Sequence, residues 1–395
     1  MSSATVSRWA RRYLVVGVAF LALSQVAAVV GFHPQIAVVA GLQGFVCVVA
    51  FGKAYSLLPS YFDRTLAWSR APAVHLPLAV LGVLGLGLAL VPRLPTGPLE
   101  TVGAVAWAAG VAVFLATIGA TVRDNPTGAE TGTGEGKADR LWTDRIANGF
   151  VPVALAYLAA GSYELLAGTV GLPTLLGGAY VRVAHLLGAG FAGVLVFSVG
   201  FRLLPRFLVV PSPRIAPLFV LPLGAIGPAL IAGGLYTGIA FETGAAFEAT
   251  AVTGFAAWYA LAFVRSDRRR LGLWGPLAGA VAGVLAVGLG VQFAVAGLQA
   301  DLAVVHRRLT VLGFLGLTIL GLLFQFYPPA VGTWPGAGDR LARLSLAGLA
   351  VGLLLAGLGA ILDGAVAALG HAVVALSALA VGYLLLATMA YRGGP

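Results

Sequence analysis

The chain has 395 residues, of which 59% are hydrophobic and only 10% are charged, and its formal net charge is +10. Soluble globular domains carry about 25% charged residues, so the composition excludes a soluble domain and indicates an integral membrane protein. The basic residues are dispersed through short loops instead of forming a block with interleaved aromatic residues, which excludes a nucleic-acid partner and makes the lipid bilayer the expected one.

Apolar runs long enough to cross a bilayer, which takes about 20 residues, recur along the whole chain. Short turns containing glycine or proline separate most of these runs. The boundaries between helices 7 and 8 and between helices 11 and 12 are the least marked. The runs predict twelve transmembrane helices at residues 12–32, 35–58, 74–92, 100–122, 148–170, 180–204, 215–240, 245–265, 273–298, 302–327, 341–362 and 365–390.

The distribution of basic residues predicts the orientation of these helices. Three arginines precede helix 1, and by the positive-inside rule they hold the N-terminus in the cytoplasm. The loops after even-numbered helices are then cytoplasmic. Of the 24 lysines and arginines, only Arg93, Arg182, Arg307 and Arg308 fall on the outer side. The bias predicts a multi-pass protein of the cell membrane with both termini in the cytoplasm.

Two hydrophilic segments divide the chain into three parts. Residues 123–147 contain the sequence NPTGAETGTGEGKADR, whose Gly, Thr and Glu content predicts a flexible cytoplasmic linker. The next strongly basic loop, at residues 265–270, follows helix 8. We therefore expect one transmembrane domain over 1–395, built from three pseudo-repeats of four helices at 1–122, 148–265 and 273–390.

Three of the five histidines open the second helix of a block: His33, His185 and His306. His185 and His306 each precede a glycine, Gly200 or Gly321, by fifteen residues, and His33 lies one helical turn further from its own glycine. All three are expected at the same depth near the outer face. Imidazole suits haem iron and copper, so the set predicts metal ligands beside glycine-lined grooves. Close helix packing also uses such glycines, and a boundary histidine can be merely interfacial.

Other polar residues fall into two predicted groups. His371 in helix 12 is the expected additional ligand or hydrogen-bond partner. Arg307 and Arg308 either extend to lipid headgroups or pair with carboxylates such as those of a haem. Glu164 in helix 5 either orients a ligating imidazole, belongs to a proton path or makes a structural bond. Interfacial or solvated positions are predicted for His75, Glu242, Glu248, Asp301 and Asp363.

Twelve helices in three sets of four, with histidines on helices 2, 6 and 10 toward the outer face, resemble subunit I of the haem–copper oxidases. The length is similar to that of the NnrS type, which contains haem and copper and is linked to nitric oxide metabolism. The resemblance implies a low-spin haem ligand at His33, a copper ligand at His185 and a haem ligand at His306. It also implies haem and/or copper binding, a role in respiratory electron transfer or nitric oxide handling, and an electron donor or another subunit as partner.

The chain departs from that family at two places. Predicted helix 7 has no histidine pair, and His306 is followed by Arg307 and Arg308 where the oxidases have a second histidine. Full oxygen or nitric oxide reductase activity is therefore not expected. Two other functions fit the same sequence: a cofactor-free secondary transporter with a repeated fold, and a metal-free assembly or structural partner of a respiratory complex.

Overall fold

A computed structural model describes residues 3–362 and 364–391. Its described part contains twelve helices that are long and apolar enough to cross a membrane, so the chain is an all-helical multi-pass membrane protein, as predicted. The helices are α1 Thr5–Val30, α2 Pro34–Tyr61, α3 Ala71–Leu88, α4 Thr96–Val122, α5 Glu135–Val170, α6 Tyr180–Leu208, α7 Ala216–Gly234, α8 Gly238–Arg265, α9 Leu271–Ala296, α10 Ala300–Phe326, α11 Asp339–Leu362 and α12 Gly364–Tyr391.

Because successive helices cross the bundle in opposite directions, the loops fall into two sets. One set, with residues 31–33, 89–95, 171–179, 235–237 and 297–299, lies at what we call the histidine end. The other set, with residues 62–70, 123–134, 209–215, 266–270 and 327–338, lies at what we call the arginine end. α5 begins thirteen residues earlier than predicted, at Glu135, and α8 begins seven residues earlier, because the turn between α7 and α8 lies at 235–237.

Three helices form the centre of the bundle. The most apolar stretches of α2, α6 and α10 are 78%, 72% and 67% buried, whereas no other described membrane helix exceeds 50%. The middle parts of these three helices contact one another. The remaining helices surround them and turn about half of their surface outward, as expected for lipid-facing helices.

The same distortion occurs in all three central helices. Each changes in its middle to a π-helix, at Val39–Cys47, Leu186–Gly193 and Leu309–Leu317. Such segments are rare and often mark functional sites. Each of them contains a glycine followed by a buried phenylalanine: Gly44 and Phe45, Gly190 and Phe191, Gly313 and Phe314.

The glycine of each pair is the point where the preceding helix crosses the central one. A Cβ built on Gly44 would lie 2.6 Å from Cγ of Phe20, so only glycine fits. The three crossings place Phe20 of α1 over Gly44, Tyr157 of α5 over Gly190 and Ala282 of α9 over Gly313.

The other helices pair in a regular order around this centre. α3 packs against α4, α7 against α8 and α11 against α12 as antiparallel hairpins. α4 also contacts α5, α8 contacts α9 and α12 contacts α1. Small residues bring the backbones together, as where a Cβ on Gly85 would lie 2.7 Å from Cα of Gly103, which is the usual device for helix association in lipid.

The close approach of α9 and α10 gives a prediction for stability. A Cβ on Gly275 would lie 2.5 Å from Cα of Gly321 and 2.6 Å from the carbonyl oxygen of Leu317, and backbone atoms cannot move aside as a side chain does. We expect Gly275→Ala to lower the free energy of unfolding by about 1–3 kcal/mol through overpacking. Thermal denaturation in detergent measures this. Gly288→Ala on the same helix is the control, because nothing lies within 4 Å of its added Cβ. Equal midpoints for the two variants would contradict the prediction.

The segment expected to be a flexible linker is packed against the arginine end. The Asn125 amide donates to the carbonyl oxygens of Phe62, at 3.0 Å, and Glu130, at 2.7 Å. The Asn148 amide donates to the carbonyl of Tyr61 at 2.8 Å. Residues 123–147 are therefore not a flexible linker. Their Gly and Thr residues form turns that bring polar groups to the ends of α2 and α6.

A buried charge network lies beneath this segment. Asp144 is fully buried and its carboxylate accepts hydrogen bonds from Arg206 at 2.5 Å and 3.1 Å. Arg202 is also buried and is only 4% exposed. Its guanidinium lies 4.1 Å from the ring centroid of Tyr61 and donates to Oδ1 of Asn148 at 2.7 Å. The network joins α5 to α6 at the arginine end.

Candidate cofactor site

A cavity of about 580 Å³, which we call the histidine cavity, lies between α2, α6, α8, α9 and α10. It extends from the loops of the histidine end inward to the π-helical segments. His33, His185 and His306 all line it. Most of the remaining wall is apolar, with glycines at positions 188, 193, 283 and 290, and this combination is typical of a small-molecule or cofactor pocket.

His306 is held by a hydrogen bond to a neighbouring helix. Its Nδ1 lies 2.8 Å from the carbonyl oxygen of Ala286 on α9. Because a carbonyl oxygen can only accept, Nδ1 carries the proton and the neutral ring keeps an unprotonated Nε2. The ring also packs edge-on against Phe293, with centroids 5.7 Å apart. This is the arrangement that metal-ligating histidines adopt, with one ring nitrogen fixed by a backbone acceptor.

His185 on α6 has a matching arrangement. Its Nδ1 lies 2.8 Å from the carbonyl oxygen of Val181, one turn earlier in the same helix, so Nδ1 is again the donor and Nε2 is left unprotonated. Both imidazoles line the histidine cavity. α6 and α10 therefore present two oriented imidazoles to one cavity.

His33 lies at the rim and differs from the other two. It is exposed, it forms the N-cap of α2, and its Nδ1 accepts the backbone N–H of Gln35 at 3.3 Å. An Nδ1 that accepts places the ring proton on Nε2, so in this arrangement neither nitrogen of the neutral ring is available to a metal. The structure brings His33 to the cavity but gives it a capping role.

The other predicted site residues divide between two cavities. Arg307 lines the histidine cavity and also a second, smaller one. Arg308 lines only the smaller one, and its Nη1 donates to Nδ1 of His371 at 2.7 Å. Of the two roles predicted for His371, the structure shows that of hydrogen-bond partner.

Glu164 is buried in α5, away from the histidine cavity, and binds the loop between α5 and α6. Its carboxylate accepts the backbone N–H groups of Leu175 and Gly178, each at 2.7 Å, and of Leu176 at 2.9 Å. The prediction that it orients a ligating imidazole does not match these contacts. Three donated N–H groups explain why a buried carboxylate is tolerated here, and they fix the loop that leads into α6.

Glu248 is a cavity residue that the sequence analysis misplaced. We expected it in solvent near a helix end, but α8 begins at Gly238, so Glu248 lies almost three turns inside the helix. It is 8% exposed, it lines the histidine cavity, and its Oε1 has no hydrogen-bond partner within the described residues. Because no charged residue marks the turn between α7 and α8, the sequence pattern placed the start of helix 8 too late and Glu248 too close to the helix end.

The prediction of an interfacial His75 is wrong. It is fully buried in α3, and its Nδ1 lies 3.1 Å from the Tyr55 hydroxyl. Its ring centroid lies 4.7 Å from that of Phe51. His75 belongs to an aromatic cluster between α2, α3 and α4 and does not line the histidine cavity.

The donor set of the cavity can be tested against the two metal groups that the resemblance implies. Residues 3–362 and 364–391 contain no group of three or more His, Cys, Asp or Glu side chains that could hold a metal ion, as a histidine-bound copper would require. A haem needs only one or two protein ligands, since the macrocycle supplies the others. Nε2 of His185 and His306, an apolar wall and Arg307 at the edge fit that group.

Searches of protein-family models and of curated proteins found no match for this chain. The residues of the cavity therefore carry the functional argument.

Proposed function

We propose that the histidine cavity binds a haem and that the protein is a membrane redox protein of respiratory electron transfer or nitric oxide handling. The observation that carries the proposal is the matched setting of His185 and His306. Each donates Nδ1–H to a backbone carbonyl and keeps Nε2 for a ligand at the same cavity. When bound, haem iron supplies one-electron chemistry that no side chain here provides.

The proposal extends to the fold, which we interpret as three four-helix repeats in the arrangement of haem–copper oxidase subunit I. Three features recur at intervals of four helices and support it. These are the π-helical segment with its Gly–Phe pair, the crossing of the preceding helix over that glycine, and the hairpin formed by the last two helices of each block. Repeated folds place ligand sites where the repeats meet, as the histidine cavity does.

Two further side chains have roles in this proposal. Arg307, at the edge of the cavity, would pair with a carboxylate of the haem through charge-assisted hydrogen bonds. Glu248, buried in the part of the wall that α8 forms and without a bonded Oε1, would hold a proton beside the redox group. A neutral, protonated carboxyl is far less costly in such a wall than a charged one.

The proposal does not include reduction of oxygen or nitric oxide by the oxidase mechanism. α7 contains no histidine, and Arg307 follows His306 directly. We propose that the histidine end faces the outside of the cell membrane, because only four of the 24 lysines and arginines belong to that end. An electron donor of the respiratory chain is the expected partner.

The test is the absorption spectrum and metal content of the full-length protein, purified in mild detergent from cells supplied with iron and a haem precursor. We expect a Soret band and a stoichiometric amount of iron. Copper bound without a Soret band would contradict the proposal that the cavity binds haem. Monodisperse, folded protein without colour or metal would overturn the cofactor altogether.

Transport is the second candidate function, and Glu248 is the observation that favours it. A buried carboxylate at an open cavity is a common binding group for protons and cations in transporters. Colourless protein that carries a Glu248-dependent proton flux in liposomes would support this candidate. Colourless protein without flux would leave the role of a metal-free partner of a respiratory complex.

A further inference from the structure

A second cavity, of about 340 Å³, lies at the histidine end between α1, α2 and α10, and we call it the arginine cavity. Its polar lining consists of Ser24, Gln25, Arg307 and Arg308. None of the histidines lines it. Three neutral residues and one arginine line both cavities and separate them: Pro34, Val38, Val311 and Arg307.

The two arginines bring positive charge into this cavity without a compensating carboxylate. Both are partly buried, and no described carboxylate lies within ion-pair distance of either one. Arg308 donates to the ring of His371, and Arg307 directly precedes it in α10 and lines the same cavity. Two adjacent guanidinium groups in such a setting are costly unless an anion accompanies them.

The remaining hydrogen-bonding groups are arranged to leave the guanidinium groups available. The Gln25 amide donates to Oγ of Ser24 at 2.7 Å, and Ser24 donates to the carbonyl of Leu21 at 2.8 Å. These two bonds lie within the wall of the cavity and do not involve the guanidinium groups. The arginines present planar N–H forks, which match the oxygens of a phosphate group.

The surface beside the arginine cavity is apolar. The last turns of α1 expose Val26, Val29 and Val30, which are 43%, 51% and 63% exposed, and Phe32 both lines the cavity and is 45% exposed. A headgroup held by the arginines would therefore continue into acyl chains along α1. Charge and apolar surface occur together, as at a lipid site.

We propose that the arginine cavity binds an oxyanion of the phosphate class, and that a phospholipid headgroup supplies it. Arg308 is the principal contact, held in place by His371, and Arg307 adds the second charge. The site shares Arg307 with the histidine cavity, but its principal contact, Arg308, lies outside that cavity, so it does not depend on the function proposed there.

Thermal-shift titration of the full-length protein in neutral detergent tests this proposal. The additives are phosphatidylglycerol, diacylglycerol with the same acyl chains, and inorganic phosphate. We expect phosphatidylglycerol to raise the unfolding midpoint of the wild type and diacylglycerol to leave it unchanged. Arg308→Gln should weaken the apparent phosphatidylglycerol affinity about tenfold or more, because charge-assisted hydrogen bonds are lost. Arg93→Gln, an exposed arginine at the same end, is the matched control and should bind as the wild type does.

Several results would overturn the proposal. The first is an Arg308→Gln variant that binds phosphatidylglycerol as tightly as the wild type does. The second is stabilisation of the wild type by diacylglycerol to the same extent as by phosphatidylglycerol. The third is a loss of affinity in Arg93→Gln that is as large as the loss in Arg308→Gln. If Arg308→Gln does not fold, Arg308→Lys decides, since it keeps the charge but loses the fork, and unchanged affinity would again contradict the site. Stabilisation by inorganic phosphate that depends on Arg308 would support the oxyanion site with a free ion as its source. The Soret band of Arg308→Gln reports separately on the histidine cavity.

Discussion

His306→Ala is expected to reduce the haem content of the purified protein at least about tenfold, since even the loss of an indirect contact to a metal ligand costs 10–100-fold in affinity. The imidazole is oriented by the carbonyl of Ala286 on α9, and alanine at this position offers no ligating atom. His185→Ala should have a comparable effect, because its Nδ1 is fixed in the same way by Val181. The measurement is the ratio of Soret to protein absorbance after size-exclusion chromatography. Added imidazole should restore part of the band.

Two control variants sharpen this prediction. His33→Ala removes a capping side chain at the rim, and His371→Ala removes the partner of Arg308, so both should retain the wild-type band. A full Soret band in folded His306→Ala and His185→Ala would contradict the proposed ligands. Loss of the Soret band in His33→Ala alone would show that His33, at the rim of the cavity, is the haem ligand.

Asp144→Asn is expected to lower the free energy of unfolding by about 3–5 kcal/mol, because it leaves buried arginine charge without its partner. The Asp144 side chain is 1% exposed, and those of Arg202 and Arg206 are 5% and 23% exposed. Asparagine keeps the shape of the side chain, so the change isolates the charge. Chemical or thermal denaturation in detergent measures the loss.

Glu130→Gln is the matched control for Asp144→Asn. It removes the carboxylate that pairs with Arg64 at 2.8 Å, but the Glu130 side chain is 64% exposed. An exposed ion pair contributes only about 0–1 kcal/mol, so this variant should stay close to the wild type. A similar loss of stability in the two variants would show that the network around Asp144 is solvated and that residues 123–147 are not packed as described.

Hydropathy predicted the number of membrane helices because insertion into a bilayer depends on the length of each apolar segment. The number of helices is confirmed, and the three histidines on predicted helices 2, 6 and 10 line one cavity. A Gly–Phe pair occurs in the π-helical segment of each central helix, although the sequence also contains Gly–Phe pairs elsewhere, as at Gly254 in α8. Gly44, Gly190 and Gly313 each precede a phenylalanine, and each is the point where another helix crosses.

Residues whose role depends on tertiary contacts were harder to predict. Glu248 is in the cavity wall because α8 begins earlier than the weak boundary indicated. The Glu164 carboxylate accepts backbone N–H groups of a loop, and no pattern of side chains in the sequence predicts such hydrogen bonds. The tautomers of His33 and His185 differ because one ring accepts an N–H and the other donates to a carbonyl, which only the structure shows.

The haem proposal requires that histidine Nε2 atoms of α6 and α10 bind iron in the histidine cavity. Electron paramagnetic resonance of the oxidised full-length protein, made with isotope-labelled histidine, tests it most directly. We predict hyperfine coupling of the iron to labelled histidine nitrogen in the wild type and its weakening or loss in His185→Ala or His306→Ala. Iron without coupling to histidine, or coupling that persists unchanged in both variants, would contradict ligation of the iron by His185 and His306.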